Sequence, residues 1–326
     1  MNFQAHPTKH APRDDGARSK ALSAAREPLP KDGSLHDAFP DPGIPAGAYD
    51  ISEGEFEALR KLIHEHAGIA LGSGKKQLLV ARLSRRLRSL GLSSFAQYHA
   101  LLVDHDPGGE EMRRMLNCVT TNQTDFFREK HHFEFLRERV FVEARERAQR
   151  GGPRKLRIWS AGCSTGEEPY TIAMTVADFF GQNSGWDIKI LASDIDTQVL
   201  DTAERGIYQD HRIANLPEAV KRAHFLRGKA ESSGLVRVRP ELQRLVTFRR
   251  INFMESPWPI QTSFDIIFCR NVIIYFDRET QRRLFTRMRE KIAAHGYLFV
   301  GHSENLYWLR DLFEPVQSTV YIPNSR

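Results

Sequence analysis

The chain has 326 residues, of which 40% are hydrophobic and 27% are charged, and its formal net charge is +6. This composition is typical of a soluble globular protein, and the length suggests about two domains. No segment approaches the roughly 18 consecutive apolar residues of a membrane helix, and the N-terminus lacks the apolar run of a secretory signal. The three cysteines lie far apart, which disfavours a disulfide scaffold and a cysteine zinc site.

Residues 1–48 are predicted to be a disordered tail. They contain seven of the 16 prolines and few large apolar side chains. Such a segment cannot bury enough apolar surface to offset the entropy lost on ordering.

Residues 49–129 are predicted to form an all-helical domain. Ser52 and Glu55 have the spacing of a capping box ahead of apolar residues at helical intervals. Further helices are predicted at 75–90, from about 93, and around 112–119. A linker helix is predicted within 130–153, because Gly151, Gly152 and Pro153 form a strong helix breaker.

Residues 154–326 alternate between predicted strands and helices. The strands fall at 156–160, 188–192, 264–268 and 297–300, and this alternation is typical of an α/β fold with a mostly parallel sheet. Residues of about 208–245 are predicted to be an insertion. Residues 236–239, within this region, and 245–249, which begin at its end, have period-two character and are interpreted as antiparallel strands of a small separate sheet.

Ligands bind beyond the carboxyl ends of the strands in an open parallel sheet. Two glycines and the acids Glu167 and Glu168 follow the first predicted strand, and Asp194 ends the second. The acids would repel a pyrophosphate, whereas a cationic nucleoside without phosphate would be accepted. An acid at the end of the second strand suits ribose hydroxyls, so the pattern points to S-adenosylmethionine.

Five segments carry a close resemblance to the chemotaxis-receptor protein-glutamate O-methyltransferases, the CheR family. They are TNQTDFFR (121–128), SAGCSTGEEPY (160–170), ASDID (192–196), FCRNVIIYF (268–276) and GHSEN (301–305). The resemblance covers about 49–323. It implies a class I S-adenosylmethionine-dependent methyltransferase fold with a final antiparallel strand, an all-helical N-terminal domain and an inserted small antiparallel β-subdomain.

The resemblance also implies roles for individual residues. The residues expected to contact S-adenosylmethionine are Asn122, Thr124, Arg128, Glu168, Asp194, Asn252, Phe253, Arg270 and Asn271. Arg128 and Tyr275 are expected to position the attacking carboxylate. The implied reaction methylates glutamate side chains on the cytoplasmic region of chemotaxis receptors and yields glutamate methyl esters and S-adenosylhomocysteine.

The substrate is expected to contact two regions. The basic helix at 75–90, through Arg82, Arg85 and Arg86, would attract the acidic methylation helices of a receptor. The small sheet near Gly234 could accept a peptide from the receptor's C-terminal tail by β-augmentation. We expect no metal site, no nucleic-acid partner and no membrane insertion, and a cytoplasmic monomer.

Two other functions remain open at this point. A nucleic-acid methyltransferase would agree with the basic charge, but Arg270 and Asn271 stand where such enzymes carry an Asn/Asp-Pro-Pro-aromatic run. A non-catalytic receptor-binding module would keep the fold without turnover. The presence of Glu168, Asp194 and Tyr275 argues against that module.

Overall fold

A computed structural model describes residues 49–181 and 184–324, so the predicted tail at 1–48 lies outside the described residues. The α-helices in these ranges are α1 (Glu53–Ala67), α2 (Lys76–Ser89), α3 (Phe95–Asp104), α4 (Glu110–Val119), α5 (Lys130–Phe135), α6 (Phe141–Gln149), α7 (Glu167–Phe180), α8 (Thr197–Arg205), α9 (Glu218–His224), α10 (Pro240–Gln243) and α11 (Arg278–Lys291). None of these helices combines the length and apolarity needed to cross a bilayer.

The strands form one large sheet and one small one. They are β1 (Lys155–Ala161), β2 (Asp187–Asp194), β3 (Ile207–Gln209), β4 (Phe225–Arg227), β5 (Leu235–Val238), β6 (Val246–Arg250), β7 (Phe264–Cys269), β8 (Ile292–Val300), β9 (Phe313–Gln317) and β10 (Val320–Pro323). The large sheet has the order β6-β2-β1-β7-β8-β10-β9, and the small sheet has the order β3-β5-β4. Strands β6, β2, β1, β7 and β8 are parallel, and β10 is antiparallel to β8. The predicted fold class is confirmed.

The register of the parallel strands brings their carboxyl ends to one edge. Ala161 at the end of β1 pairs with Ser193, and Asp194 at the end of β2 pairs with Arg250. Cys269 at the end of β7 pairs with Val300 at the end of β8. The loops that follow these strands therefore begin side by side, which is the arrangement that places a ligand site at this edge.

One predicted strand belongs to the other sheet. The period-two segment at 245–249 was expected to pair within the small sheet, but β6 pairs in parallel with β2 at the edge of the large sheet. Alternation of side chains specifies a strand and its buried face, but it does not specify the partner strand. The small sheet is completed by β3 and β4, which flank β5 on both sides.

The helical region packs around its own apolar core, which includes Phe56, Leu83 and Met115. The capping box predicted for Ser52 and Glu55 is present at the start of α1. In the middle of this region, the Arg86 guanidinium donates to both carboxylate oxygens of Glu111. The hydroxyl of Tyr98 donates to the same carboxylate over 2.8 Å. Arg86 therefore joins α2 to α4, a structural task that its predicted role in substrate binding did not include.

The linker helix connects the helical region to the sheet. A π-helical turn, Leu136–Val140, joins α5 to α6, so the predicted long helix forms with one wider turn in its middle. Phe133 stacks on Phe268, and the ring of Phe135 meets Phe299 edge-on. The linker helix is thereby fixed against strands β7 and β8.

Replacing Arg86 with methionine is expected to lower the free energy of unfolding by roughly 3 kcal/mol, because the buried Glu111 carboxylate would lose its counter-charge. The matched control is Arg114→Met, which breaks the exposed pair of Arg114 with Glu110 on α4. That change should lower stability by about 0.5 kcal/mol or less. Urea unfolding of the two variants measures both values, and equal losses would contradict the structural role of Arg86.

Candidate functional site

A cavity of about 380 Å³ lies between the helical region and the carboxyl edge of the large sheet. Eleven of the residues predicted from the sequence line it: Arg82, Asn122, Thr124, Arg128, Glu168, Asp194, Asn252, Phe253, Arg270, Asn271 and Tyr275. They come from α2, the segment before α5, the start of α7, the end of β2, and the loops after β6 and β7. Arg85, Arg86 and Gly234 are not among its lining residues.

The loop after β1 bends sharply over the end of β2. The amides of Gly162 and Cys163 both donate to the carbonyl of Ser193, over 2.8 and 2.9 Å. Gly162 has a φ of +90°, and a Cβ there would lie 2.3 Å from the side chain of Val272. Only glycine fits this position, where the backbone approaches the cavity closely.

The two neighbouring glutamates have different surroundings. Glu168 lines the cavity, and its carboxylate accepts from the Ser160 hydroxyl over 2.7 Å and from Arg270 over 3.0 Å. The Glu167 side chain is buried on another side, where it pairs with Arg212. Of the two acids, Glu168 is therefore placed to contact a ligand.

Arg270 sits at the centre of a buried ion cluster. Its side chain is 2% exposed, and its guanidinium lies 3.0 Å from Glu168 and 3.3 Å from Glu129. It also donates to the carbonyl of Arg128 over 2.7 Å. Arg270 was predicted to contact the cofactor, but both of its terminal nitrogens already pair with protein groups, while its buried Nε has no hydrogen-bond partner among the described residues. Glu129 was not identified from the sequence, where no periodicity or turn signal distinguishes it from a surface glutamate.

The cavity wall is rich in buried negative charge. Burial raises the pKa of the Glu168 carboxyl, and the nearby Arg270 opposes that rise. Burial also raises the pKa of Asp194 to about 6, although the amides of Asp196 and Ser164 donate to its carboxylate. The Arg270 guanidinium pairs with Glu168 and with Glu129, which does not line the cavity, so the charge of Asp194 stays without a cation of its own. Such a site favours a ligand that carries positive charge.

The segment before α5 is held by the loops of the sheet. The side-chain amide of Asn122 donates to Asp196 over 2.8 Å. The backbone carbonyl of Asn122 accepts from the Ser164 hydroxyl over 2.9 Å. Arg212, in the insertion, donates to the carbonyl of Thr124. Arg128 donates to the carbonyl of Gln123 over 3.1 Å and lines the cavity.

Asn252 and Phe253 have structural contacts as well as cavity positions. The Asn252 side chain donates to the carbonyl of His66 over 2.6 Å and accepts from the amide of Met254 over 3.0 Å. The Phe253 ring packs edge-on against Trp159 and Trp258. Asn252 therefore joins the sheet to the helical region, a contact that the sequence did not predict.

The loop after β7 carries Asn271 and Tyr275, and Glu304 holds it in place. The Glu304 carboxylate accepts from the amides of Asn271, Ile273 and Gly301 over 2.9, 3.0 and 2.6 Å. Asn271 has a φ of +58°, a conformation that this carboxylate stabilises. The carbonyl of Tyr275 accepts from the amide of Ala70 over 2.7 Å. Glu304 lies in the GHSEN segment, but its role became visible only in the fold.

The cysteines near the cavity are not suited to be nucleophiles. Cys163 and Cys269 are fully buried, and burial raises the pKa of both thiols well above their ordinary value. Reactive cysteines need an accessible thiolate. Neither thiol is therefore assigned a role as a nucleophile.

The residues of the cavity fit S-adenosylmethionine. Asp194 offers a carboxylate at the end of β2, where ribose hydroxyls bind in folds of this kind. Glu168 and its neighbours supply the negative charge that a sulfonium and an ammonium group require, and Arg128 supplies a cation for a carboxylate. The cavity volume is in the range of pockets for small ligands.

Two protein families match this chain. Residues 122–322 match the family described as CheR methyltransferase, SAM binding domain. Residues 54–120 match the family described as CheR methyltransferase, all-alpha domain. Together the two matches cover the helical region, the segment before α5, and both sheets.

Curated relatives agree with these matches. The chain is 45% identical over 284 residues to "Chemotaxis protein methyltransferase 2" of Pseudomonas aeruginosa, which covers 87% of this chain and 98% of the relative. It is 43% identical over 272 residues to "Chemotaxis protein methyltransferase" of Escherichia coli, and the match covers 83% of this chain and 91% of the relative. Among solved structures, the glycopeptide N-methyltransferase MtfA with S-adenosylmethionine is 18% identical, with a TM-score of 0.27 over 48% of this chain and 52% of that chain. This last likeness is too low to support a functional argument.

The affinity for S-adenosylhomocysteine is expected to fall as the pH drops through about 6, the pKa of Asp194, because the protonated carboxyl loses an acceptor for the ribose hydroxyls. In the variant Asp194→Asn the affinity should be weaker by roughly 1–3 kcal/mol at neutral pH, with less change across this pH range. Calorimetric titration at several pH values measures both effects. An identical pH profile in the variant and the parent would remove Asp194 from the ligand site.

Proposed function

This chain belongs to the CheR methyltransferase family, and we propose that it methylates glutamate side chains on the cytoplasmic region of chemotaxis receptors. Its cofactor is S-adenosylmethionine. The products of the proposed reaction are glutamate methyl esters and S-adenosylhomocysteine, and its role is sensory adaptation.

The observation that carries this proposal is the convergence on one cavity. The acids suited to a cationic methyl donor, Glu168 and Asp194, line the same cavity as Arg128 and Tyr275. The cofactor supplies an electrophilic methyl group on a sulfonium. The remaining tasks for the protein are to bind the cofactor through these acids and to bring a nucleophile into line.

A glutamate nucleophile needs no general base. Its carboxylate is already ionised at neutral pH, because its ordinary pKa is about 4.3. Arg128 and Tyr275, which both line the cavity, offer a charged donor and a hydroxyl donor. In this proposal they hold the carboxylate at a near-attack distance of about 3–3.5 Å and leave one oxygen lone pair directed at the methyl group.

The receptor would reach the cavity along α2. Arg82 lines the cavity, although it also donates to the carbonyls of Val119 and Thr120 over 2.5 and 2.8 Å. Lys75 lines the cavity immediately before α2, and Arg85 is exposed on α2. Arg86 is committed to Glu111. The proposed attraction for an acidic receptor helix therefore rests mainly on Lys75, Arg82 and Arg85.

The small sheet is the proposed contact for a receptor-tail peptide. Strand β5 is central in this sheet, so an added strand would pair with the edge strands β3 or β4 and not with β5. Gly234 precedes β5 with a φ of +79°, and its carbonyl accepts from the amide of Asp210 over 2.9 Å. Gly234 therefore shapes the turn that leads into β5, between the edge strands β3 and β4.

The direct test is transfer of a labelled methyl group to receptor cytoplasmic fragments. The proposal requires label on the fragment that is released as methanol by mild base, as expected for a carboxyl ester. Label that resists base, or transfer to DNA or RNA and not to any receptor fragment, would overturn it.

The substitutions Arg128→Ala and Tyr275→Phe are expected to reduce turnover at least about tenfold while affecting cofactor affinity less, because both residues are proposed to align the nucleophile. Single-turnover methylation and calorimetry with S-adenosylhomocysteine separate the two effects. Methylation by either variant at the parent rate would show that the residue does not position the carboxylate.

Reversing charge on α2 and the residue before it, with Arg85→Glu and Lys75→Glu, is expected to slow methylation most at low salt. Salt screens surface charges, with a Debye length of about 10 Å at 0.1 M. Initial rates across a salt series provide the measurement. A defect of the same size at every salt concentration would argue against electrostatic attraction of the substrate.

Replacing Gly234 with valine is expected to abolish micromolar binding of a receptor-tail peptide, because a β-branched residue is strained at this positive φ. Fluorescence anisotropy with labelled tails from receptors of the same organism measures the affinity. Absence of binding to the parent protein by every tail would leave the small sheet with a structural role alone.

A further inference from the structure

We propose that Glu129, His131 and His132 form a binding site for a divalent transition-metal ion of the zinc class. The three residues lie at the start of α5, and one ligand atom from each falls within 4.8 Å of the others. His302 lies beside them, with its Nδ1 3.0 Å from Oε1 of Glu129. None of the four histidine and glutamate side chains lines the methyl-transfer cavity.

Two buried atoms in this cluster lack a hydrogen-bond partner. The His132 side chain is fully buried and the Glu129 side chain is 10% exposed, and His132 Nδ1 lies 3.5 Å from Glu129 Oε2. Neither atom has a hydrogen-bond partner in the part of the chain that the structure describes. Leaving such atoms unsatisfied is unfavourable by about 1–3 kcal/mol each, so the pair calls for a ligand between them.

The tautomer of His132 makes this need specific. The Thr319 hydroxyl lies 2.5 Å from the carbonyl of Ser318 and 2.7 Å from Nε2 of His132. When the hydroxyl donates to that carbonyl, Nε2 carries the ring proton and Nδ1 presents a lone pair to the carboxylate oxygen of Glu129. In that tautomer two electron-pair donors face each other, an arrangement that a cation between them stabilises.

Arg270 is a neighbouring cation, but it donates no hydrogen bond to either atom. Its guanidinium lies 3.3 Å from Oε2 of Glu129 as an ion pair, whereas its hydrogen bonds go to the carbonyl of Arg128 and to Glu168.

The donor set indicates the type of ion. Two imidazoles and one carboxylate suit Zn²⁺, Co²⁺ or Ni²⁺, and no thiolate is present to select a softer metal. His131 is exposed and provides access from solvent. This proposal departs from the expectation of no metal site, which rested on the lack of the usual ligand spacing between adjacent histidines. Glu129 has a φ of +58°, and this turn carries its carboxylate back toward the His132 ring.

The test is titration of the full chain with metal. After removal of metal with a chelator, ZnCl₂ is added in a calorimeter and Co²⁺ is followed by its visible absorption. We expect one ion per chain with micromolar or tighter affinity. His131→Ala and Glu129→Gln should each weaken binding about tenfold or more. His105→Ala, an exposed histidine outside the cluster, should leave the affinity unchanged.

Because His131 is exposed, its alanine variant should fold normally and keep the test interpretable. Weak, unsaturable zinc binding, or equal affinity in the parent and both cluster variants, would overturn the proposal. So would a crystal grown with zinc that shows a water molecule between Nδ1 of His132 and Oε2 of Glu129. Each outcome is independent of whether the chain methylates receptors.

Discussion

The candidate site depends on one buried ion cluster, in which Arg270 lies between Glu168 and Glu129. The three residues come from the loop after β7, the start of α7 and the segment before α5. Removing the guanidinium would leave two carboxylates largely buried without a counter-charge, a change on the scale of roughly 3–5 kcal/mol. The same cluster leaves the cavity with an excess of negative charge, and this excess matches a cationic methyl donor. The same contacts therefore hold three segments together and determine the charge of the ligand that the cavity accepts.

The helical region completes the cavity by contacts with the same loops. The amide of Ala70 donates to the carbonyl of Tyr275, and the carbonyl of His66 accepts from Asn252. His64 pairs with Asp277 over 2.6 Å just beyond Tyr275. The proposed positioning residue Tyr275 is therefore anchored through its backbone, while its side chain remains on the cavity wall. The helical region would therefore both bind the substrate along α2 and hold the backbone of Tyr275 in place.

The sequence predicted the elements better than their partners. Helix caps such as Ser52 and the ends of strands β1, β2 and β7 were visible because local periodicity and turn residues encode them. The residues that line the cavity could be found since parallel strands deliver their loops to one edge. Three contributors were missed: Glu129, Arg212 and Glu304. Each acts through a charge or backbone partner that is distant along the chain. The predicted pairing of β6 was wrong for the same reason, because alternation of side chains does not specify the neighbouring strand.

The most direct test of the account is a crystal structure of the chain with S-adenosylhomocysteine. The account predicts that the product lies in the cavity at the carboxyl edge of the sheet, with Asp194 and Glu168 within hydrogen-bond distance of it. Arg270 should still pair with Glu168 and Glu129. A product bound outside this cavity, or an Arg270 released from both carboxylates, would contradict the claim that the buried cluster defines the site.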